Sequence, residues 1–348
     1  MNKVFQKLVL IIILLANADY LNATDAYVQS KQISDNALVL FHQKKFAELN
    51  RLEEQYRSNK ERLPDGRWKL DLLFENLATV RNREKFNERN ENLKLTEQWI
   101  SQTPNNSASY LAKATVLLSY ADNIKSRDFK NVETDKKSAK LTLWTQVRIT
   151  QARKMLEESA AISQQSPYWY VLMEEIAFAQ GWGKNEFASL YELAASHWPT
   201  YYTIHEKAAH YYLNYQREDK SAFNQIVKRA TEKSKAAEGM SLYTRLYWSQ
   251  VEELGDHTFD SGYAEWKDMR QGFRDIEKHY PHSELNLNAF TYYSCLAQDW
   301  ETVKTLIPQF TTDPHLGIWV SYHNFLACGD KAGINWEKIS WDMSEVWK

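Results

Sequence analysis

The sequence predicts an all-α protein of stacked antiparallel helical hairpins, a tetratricopeptide-like right-handed superhelix with degenerate repeats. Three observations carry this expectation. Apolar residues recur at helical spacing through most of the chain. Glycine and proline, which β-hairpins and meanders consume, are scarce at 10 and 7 in 348 residues. Aromatic residues reach 14%, with 13 Trp and 20 Tyr, and large rings suit helix–helix interfaces.

The spacing predicts helices over 36–59, 67–86, 91–102, 107–122, 136–164, 167–181, 184–197, 200–215, 220–236, 241–254, 261–279, 283–297, 299–310 and 314–328. Phe187, Leu190, Tyr191, Ala194 and Trp198 form one helical stripe, and Tyr201, Ile204, Ala208, Tyr211 and Tyr215 the next. Phe223, Ile226, Val227 and Ala230 form a third, and Val303, Leu306, Ile307 and Phe310 a fourth. Helix starts are marked by Ser166-Pro167 and Asp313-Pro314, where a capping residue precedes a proline suited to the first turn. Trp198-Pro199-Thr200 and Tyr280-Pro281-His282-Ser283 read as boundaries, and Pro64-Asp65-Gly66 as a turn. Pro167 and Pro199 lie 32 residues apart and enclose two helices that reverse at Gly181-Trp182-Gly183. That is close to the roughly 34-residue tetratricopeptide unit. The polar, lysine-rich stretch Asp122–Lys137 is read as the best candidate loop, a solvated connection or a functional segment.

The N-terminus reads as a secretory signal. Lys3 and Lys7 precede an apolar run from Leu8 to Ala16, and Ala16-Asn17-Ala18 offers a small-residue cleavage site. The run of 9 residues is far short of the about 20 that span a bilayer. Asp19, not Cys, follows the site, so no lipid anchor is expected. The chain divides into a signal peptide (1–18), an N-terminal tail (19–35), a helical-repeat domain (36–328) and a C-terminal tail (329–348). Export places the mature protein in the periplasm or outside the cell. Cleavage removes two lysines and no acid, so the net charge moves from −2 to −4. Such a weak acidic balance argues against a nucleic-acid partner, and no membrane span is expected after cleavage.

Several constellations admit two readings. His205 and His210 resemble a helical zinc motif. Their five-residue spacing, however, sets them about 140° apart around a helix rather than the about 40° of an i, i+4 pair, so no metal is expected. Glu174-Glu175 and Glu252-Glu253 are adjacent acids, read as solvated helix faces rather than a glycosidase pair. No nucleophile elbow, phosphate loop, dinucleotide fingerprint or C-x-x-C pair occurs, and no cofactor is expected. Trp169, Trp182, Tyr201, Tyr202, Tyr211 and Tyr215 are candidate binding residues. They either fill the space between helices or line a concave groove. Cys295 and Cys328, 33 residues apart, each near a helix end before a polar turn, form a disulfide or remain two buried thiols.

Several stretches occur in a telling order: Phe46-Ala-Glu-Leu49, Pro64-Asp-Gly-Arg-Trp-Lys-Leu70, Gly181-Trp182 with Glu186-Phe187, and Tyr201-Tyr202. After them come Gly239-Met-Ser-Leu-Tyr-Thr-Arg-Leu-Tyr-Trp248, Leu285-Asn-Leu-Asn-Ala-Phe290 and Cys295-Leu-Ala-Gln-Asp299. In this the chain resembles the bacterial domain-of-unknown-function 4034 family, from about Phe46 to Cys328. The stretch after Tyr120 departs from the family by lacking glycine. The resemblance implies a helical-repeat fold and carries no catalytic residue with it. The function expected is an exported protein-interaction module whose partner is another protein or a peptide. The second reading is an α-helical enzyme acting on cell-wall glycans.

Overall fold

The computed structural model describes residues 26–78, 86–125, 136–215, 220–260 and 262–339. The signal peptide at 1–18, the tail residues 19–25, the centre of the 122–137 loop and residues 340–348 lie outside that range. The protein is all-α. Among the described residues no strand forms, and β-type pairing is limited to an isolated bridge between Arg62 and Trp68. No described helix is long and apolar enough to cross a membrane.

The chain folds as two compact units. The N-terminal unit comprises Gln29–Arg62 and Trp68–Tyr215. Its helices are α1 (Ala26–His42), α2 (Phe46–Ser58), α3 (Lys69–Glu75), α4 (Phe86–Gln102), α5 (Ser107–Lys125) and α6 (Lys136–Glu158). They continue with α7 (Ala160–Ser163), α8 (Pro167–Gln180), α9 (Lys184–His197) and α10 (Tyr202–Tyr215). Helix α8 packs on α5, α6, α9 and α10. Helix α8 is accordingly buried almost all round, from Pro167 to Ala177. It begins with Pro167 at its first turn and ends at Gly181, whose φ of 67° supplies the left-handed cap.

The C-terminal unit joins Ala26–Val28, the first residues of α1, and Leu63–Arg67 to the chain from Gln216 onward. Its helices are α11 (Lys220–Glu238), α12 (Ser241–Ser249), α13 (Val251–Leu254), α14 (Trp266–His279), α15 (Glu284–Leu296), α16 (Trp300–Leu306), α17 (Leu316–Trp319) and α18 (Tyr322–Ala332). The turn Pro64-Asp65-Gly66 is held by this unit. Arg245 donates to the Asp65 carbonyl at 2.7 Å, and Asn286 does so at 3.3 Å. Gly66 sits at φ 93°, and a Cβ there would meet the Tyr280 ring at 2.8 Å, so only glycine fits. Cys295 and Cys328 are joined in a disulfide with Cα atoms 5.9 Å apart. Cys328 lies in a core with Val303, Phe310, Trp319 and Phe325.

Several boundaries differ from the expectation. The stretch 36–59 is two helices. Lys44 takes φ 57° and the chain reverses, so that Phe41 and Phe46 both pack on Trp99, at 6.1 and 5.3 Å between ring centroids. The tail 19–35 is not a tail from Ala26 on: α1 buries Ala26, Ser30, Ser34, Ala37 and Phe41, a face of small residues that composition disguises as polar. The 67–86 helix loses its α form at Asn76 and continues as a 3₁₀ turn to Ala78. The 314–328 helix is broken at Val320, φ 66°, and Pro314 precedes α17 without entering it. Helix α18 then runs past Cys328 through Gly329-Asp330, the expected turn, and stops at Gly333. Within the expected tail 329–348, the described residues complete α18 and form a 3₁₀ turn at Trp336–Lys338. Trp336 packs so closely over Gly329 that any side chain there would displace it.

Candidate functional site

The aromatic residues singled out in the sequence lie in the N-terminal unit, and as a set they do not line a groove. Trp169, Tyr201, Tyr202 and Tyr211 are buried. The Tyr211 ring stacks on Phe187 with centroids 3.7 Å apart, and its hydroxyl donates to the Trp182 carbonyl at 2.9 Å. Trp169 donates to the Leu156 carbonyl at 3.1 Å. Tyr202 stacks under the Arg62 guanidinium at 4.5 Å, and Arg62 also covers Trp68 at 4.5 Å. Trp182 alone of these is partly open, beneath the Arg153 guanidinium at 4.3 Å. The Tyr215 side chain lies outside the described residues. These rings join helix to helix. His205 is buried, donating from Nε2 to the Pro199 carbonyl at 3.0 Å while Nδ1 takes the Tyr191 hydroxyl at 3.0 Å. His210 packs against Phe178 instead. Among the described residues, no group of three or more metal-type ligands converges.

The N-terminal unit buries three carboxyls, two that sequence reading passed over and one that it placed on a solvated face. Asp71 of α3 accepts from the Tyr201 hydroxyl and, at 2.9 Å, from Thr203. Burial lifts its pKa to about 7, against the pull of the Tyr201 hydrogen bond. Glu53 of α2 accepts from Ser107 at 3.0 Å and Arg57 at 3.1 Å, and burial raises it too. Glu174 of α8 overturns the solvated-face expectation. It is 1% exposed, neither oxygen meets a donor, and burial lifts its carboxyl well above the usual range. Its neighbour Glu175 instead reaches Lys207 at 2.5 Å. Only the pair Glu252-Glu253 is exposed as expected. Asp71 and Glu53 are satisfied by their own unit, so they read as structural polar contacts within the core.

The C-terminal unit holds a different kind of place. A pocket of about 190 Å³ opens at the N-terminal end of α15. Phe273, Leu287 and Phe290 give it an apolar floor; Glu277, His282 and Glu284 give it a polar rim. Ser283 caps α15 by accepting from the Asn286 N–H at 3.3 Å. Glu284 accepts from the Thr311 N–H at 3.1 Å and from its hydroxyl, both at Oε1, and Oε2 is buried without a donor. Burial raises the Glu284 carboxyl, with Thr311 opposing. Asn286 is 5% exposed, spends its NH₂ on the Asp65 carbonyl, and leaves Oδ1 buried and unbonded. An acceptor in that state costs about 1–3 kcal/mol unless something donates to it. No lysine or arginine lines the pocket.

Sequence reasoning missed this pocket, although it quoted the residues around it. Pro64-Asp-Gly, Gly239–Trp248 and Leu285–Phe290 are far apart in the chain. They meet here, through Asp65, Arg245 and Asn286. Arg245 lies over the Tyr280 ring at 5.4 Å, and Tyr280 forms part of the pocket wall. No family model, curated protein or solved structure matches the chain.

Proposed function

We propose that this chain is an exported helical-repeat recognition module, related to the domain-of-unknown-function 4034 family, and that it binds another polypeptide. The observation that carries this reading is the pocket at the start of α15: a preformed hollow with an apolar floor and two buried acceptors that lack donors. At 190 Å³ it is smaller than the about 300–1,000 Å³ typical of metabolite sites, and its size suits one side chain of a partner. Helices that stack on their neighbours leave extended faces around such a hollow, as tetratricopeptide-like arrays do. Two features support export. The first 18 residues have the three parts of a secretory signal. The Cys295–Cys328 disulfide belongs to oxidising compartments.

Two measurements test this. Intact-mass analysis of the protein recovered from periplasm or medium is expected to give a chain starting at Asp19; retention of Met1–Ala18 would remove the export reading. Affinity capture from the same fraction is expected to enrich a polypeptide with the wild type and to lose it with Asn286→Leu. Equal recovery by both proteins would detach the function from the pocket. A second reading, an enzyme acting on cell-wall glycans, draws on Glu277 and Glu284 sharing the pocket. Release of peptidoglycan fragments by the wild type, abolished in Glu284→Gln, would favour it.

A further inference from the structure

The pocket also restricts the chemistry of what enters it. A ligand that brings hydrogen-bond donors suits it, because Glu284 and Asn286 of its lining each hold an acceptor oxygen that lacks a donor. It must tolerate negative charge, because Glu277 and Glu284 both line the wall while no lysine or arginine does. A helix start would ordinarily favour an anion. Here the Asn286 and Leu287 N–H groups already bond to Ser283, at 3.3 and 2.9 Å, and a carboxylate occupies the first turn. The ligand must also carry an apolar stem to cover Phe273, Leu287 and Phe290. An ammonium has three donors and no acceptor, and an alkyl chain buries well against aromatic rings.

We propose that the pocket binds an alkylammonium group, its nitrogen beside the Glu284 carboxylate and its alkyl stem on the Phe273–Phe290 floor. This rests on the pocket being the recognition site and adds the ligand class. Within the polypeptide reading, the group is a lysine side chain of the partner. A free alkylamine has the same chemistry, and the probes separate the two.

The test is calorimetric titration of the full mature chain at neutral pH. The probes are Nα-acetyl-lysine methylamide, its Nε-acetylated neutral form, n-pentylammonium and n-pentanol. Saturable binding of the cationic probes is expected, with each neutral counterpart at least tenfold weaker. Glu284→Gln is expected to weaken the cationic probes at least tenfold without lowering the melting temperature. If that variant does not fold, the cation-to-neutral comparison on the wild type decides. No saturable binding of either cation overturns the proposal, as does equal binding of charged and neutral probes, or an unchanged affinity in a folded Glu284→Gln. Tight pentylammonium binding with no binding of the lysine amide sustains the ligand class and counts against a polypeptide partner.

Discussion

Three acids of the N-terminal unit and Asp299 of the C-terminal unit are shifted in opposite directions. The N-terminal unit buries Asp71, Glu53 and Glu174, and burial pushes all three toward the protonated form. The C-terminal unit sets a key carboxylate at a helix end. Asp299 caps α16 and accepts from Thr302, Trp266 and Arg270. Burial alone would raise it, but those donors hold it below the usual carboxylate range. The lesson is that a helical setting does not decide the charge state of an acid. The balance of burial against donors decides it: Asp71 and Glu53 are raised despite their donors, Glu174 has burial and no donor, and Asp299 has donors enough to prevail.

Four perturbations break or sharpen this contrast. The largest concerns the aromatic core of the N-terminal unit. Phe187→Ala removes the ring stacked on Tyr211 and is expected to lower stability by about 3–5 kcal/mol in chemical denaturation. A loss below about 1 kcal/mol would mean that the stack does not carry the core.

The second acts on the C-terminal unit. Reducing the Cys295–Cys328 bond frees a 33-residue separation in the unfolded chain, expected to cost about 2–4 kcal/mol. Denaturation with and without reductant measures it; coincident curves would refute a stabilising bond.

The third uses pH. Asp71 is raised from 3.8 to about 7 in the folded state, so the fold holds its proton more tightly than the unfolded chain. Its contribution is fully present below the unfolded value and is lost as pH rises through about 7. Between pH 5.5 and 7 that loss is on the order of 2 kcal/mol. Glu174 acts in the same direction. Asp71→Asn is expected to flatten the pH dependence of stability, and Glu174→Gln to flatten it further. A slope unaltered in both variants would show that these groups do not titrate in the fold.

The smallest effect has the reverse sign. Asp299→Ala is expected to cost about 1–2 kcal/mol through the lost cap of α16. Because the folded Asp299 is depressed, its contribution is present above the unfolded value and is lost as pH falls through the folded one. Urea midpoints of wild type and variant should therefore converge at low pH. A gap independent of pH would indicate lost packing rather than a lost charge.

Much of the fold was legible because periodicity is a local property. The stripes at Phe223–Ala230 and Val303–Phe310 are buried as read, and Gly181 and Ser283 stand where the helices stop and start. The breaks at Lys44 and Val320 were not legible: neither is a glycine, yet each takes a positive φ. Helix α1 escaped because serine and alanine fill its buried face. The candidate site was legible only in fragments. Asp65 and Asn286 are 221 residues apart, and no local pattern says that one side chain bonds to the other's carbonyl.

The sequence by itself determined the helical class, the position of most helices and the cysteines available for pairing, since all of these follow from spacing and composition. Tertiary structure alone decided which of two adjacent glutamates is buried, which aromatic rings reach solvent, and where acceptors go without donors. Those outcomes depend on groups brought together from distant parts of the chain, and only packing brings them into range.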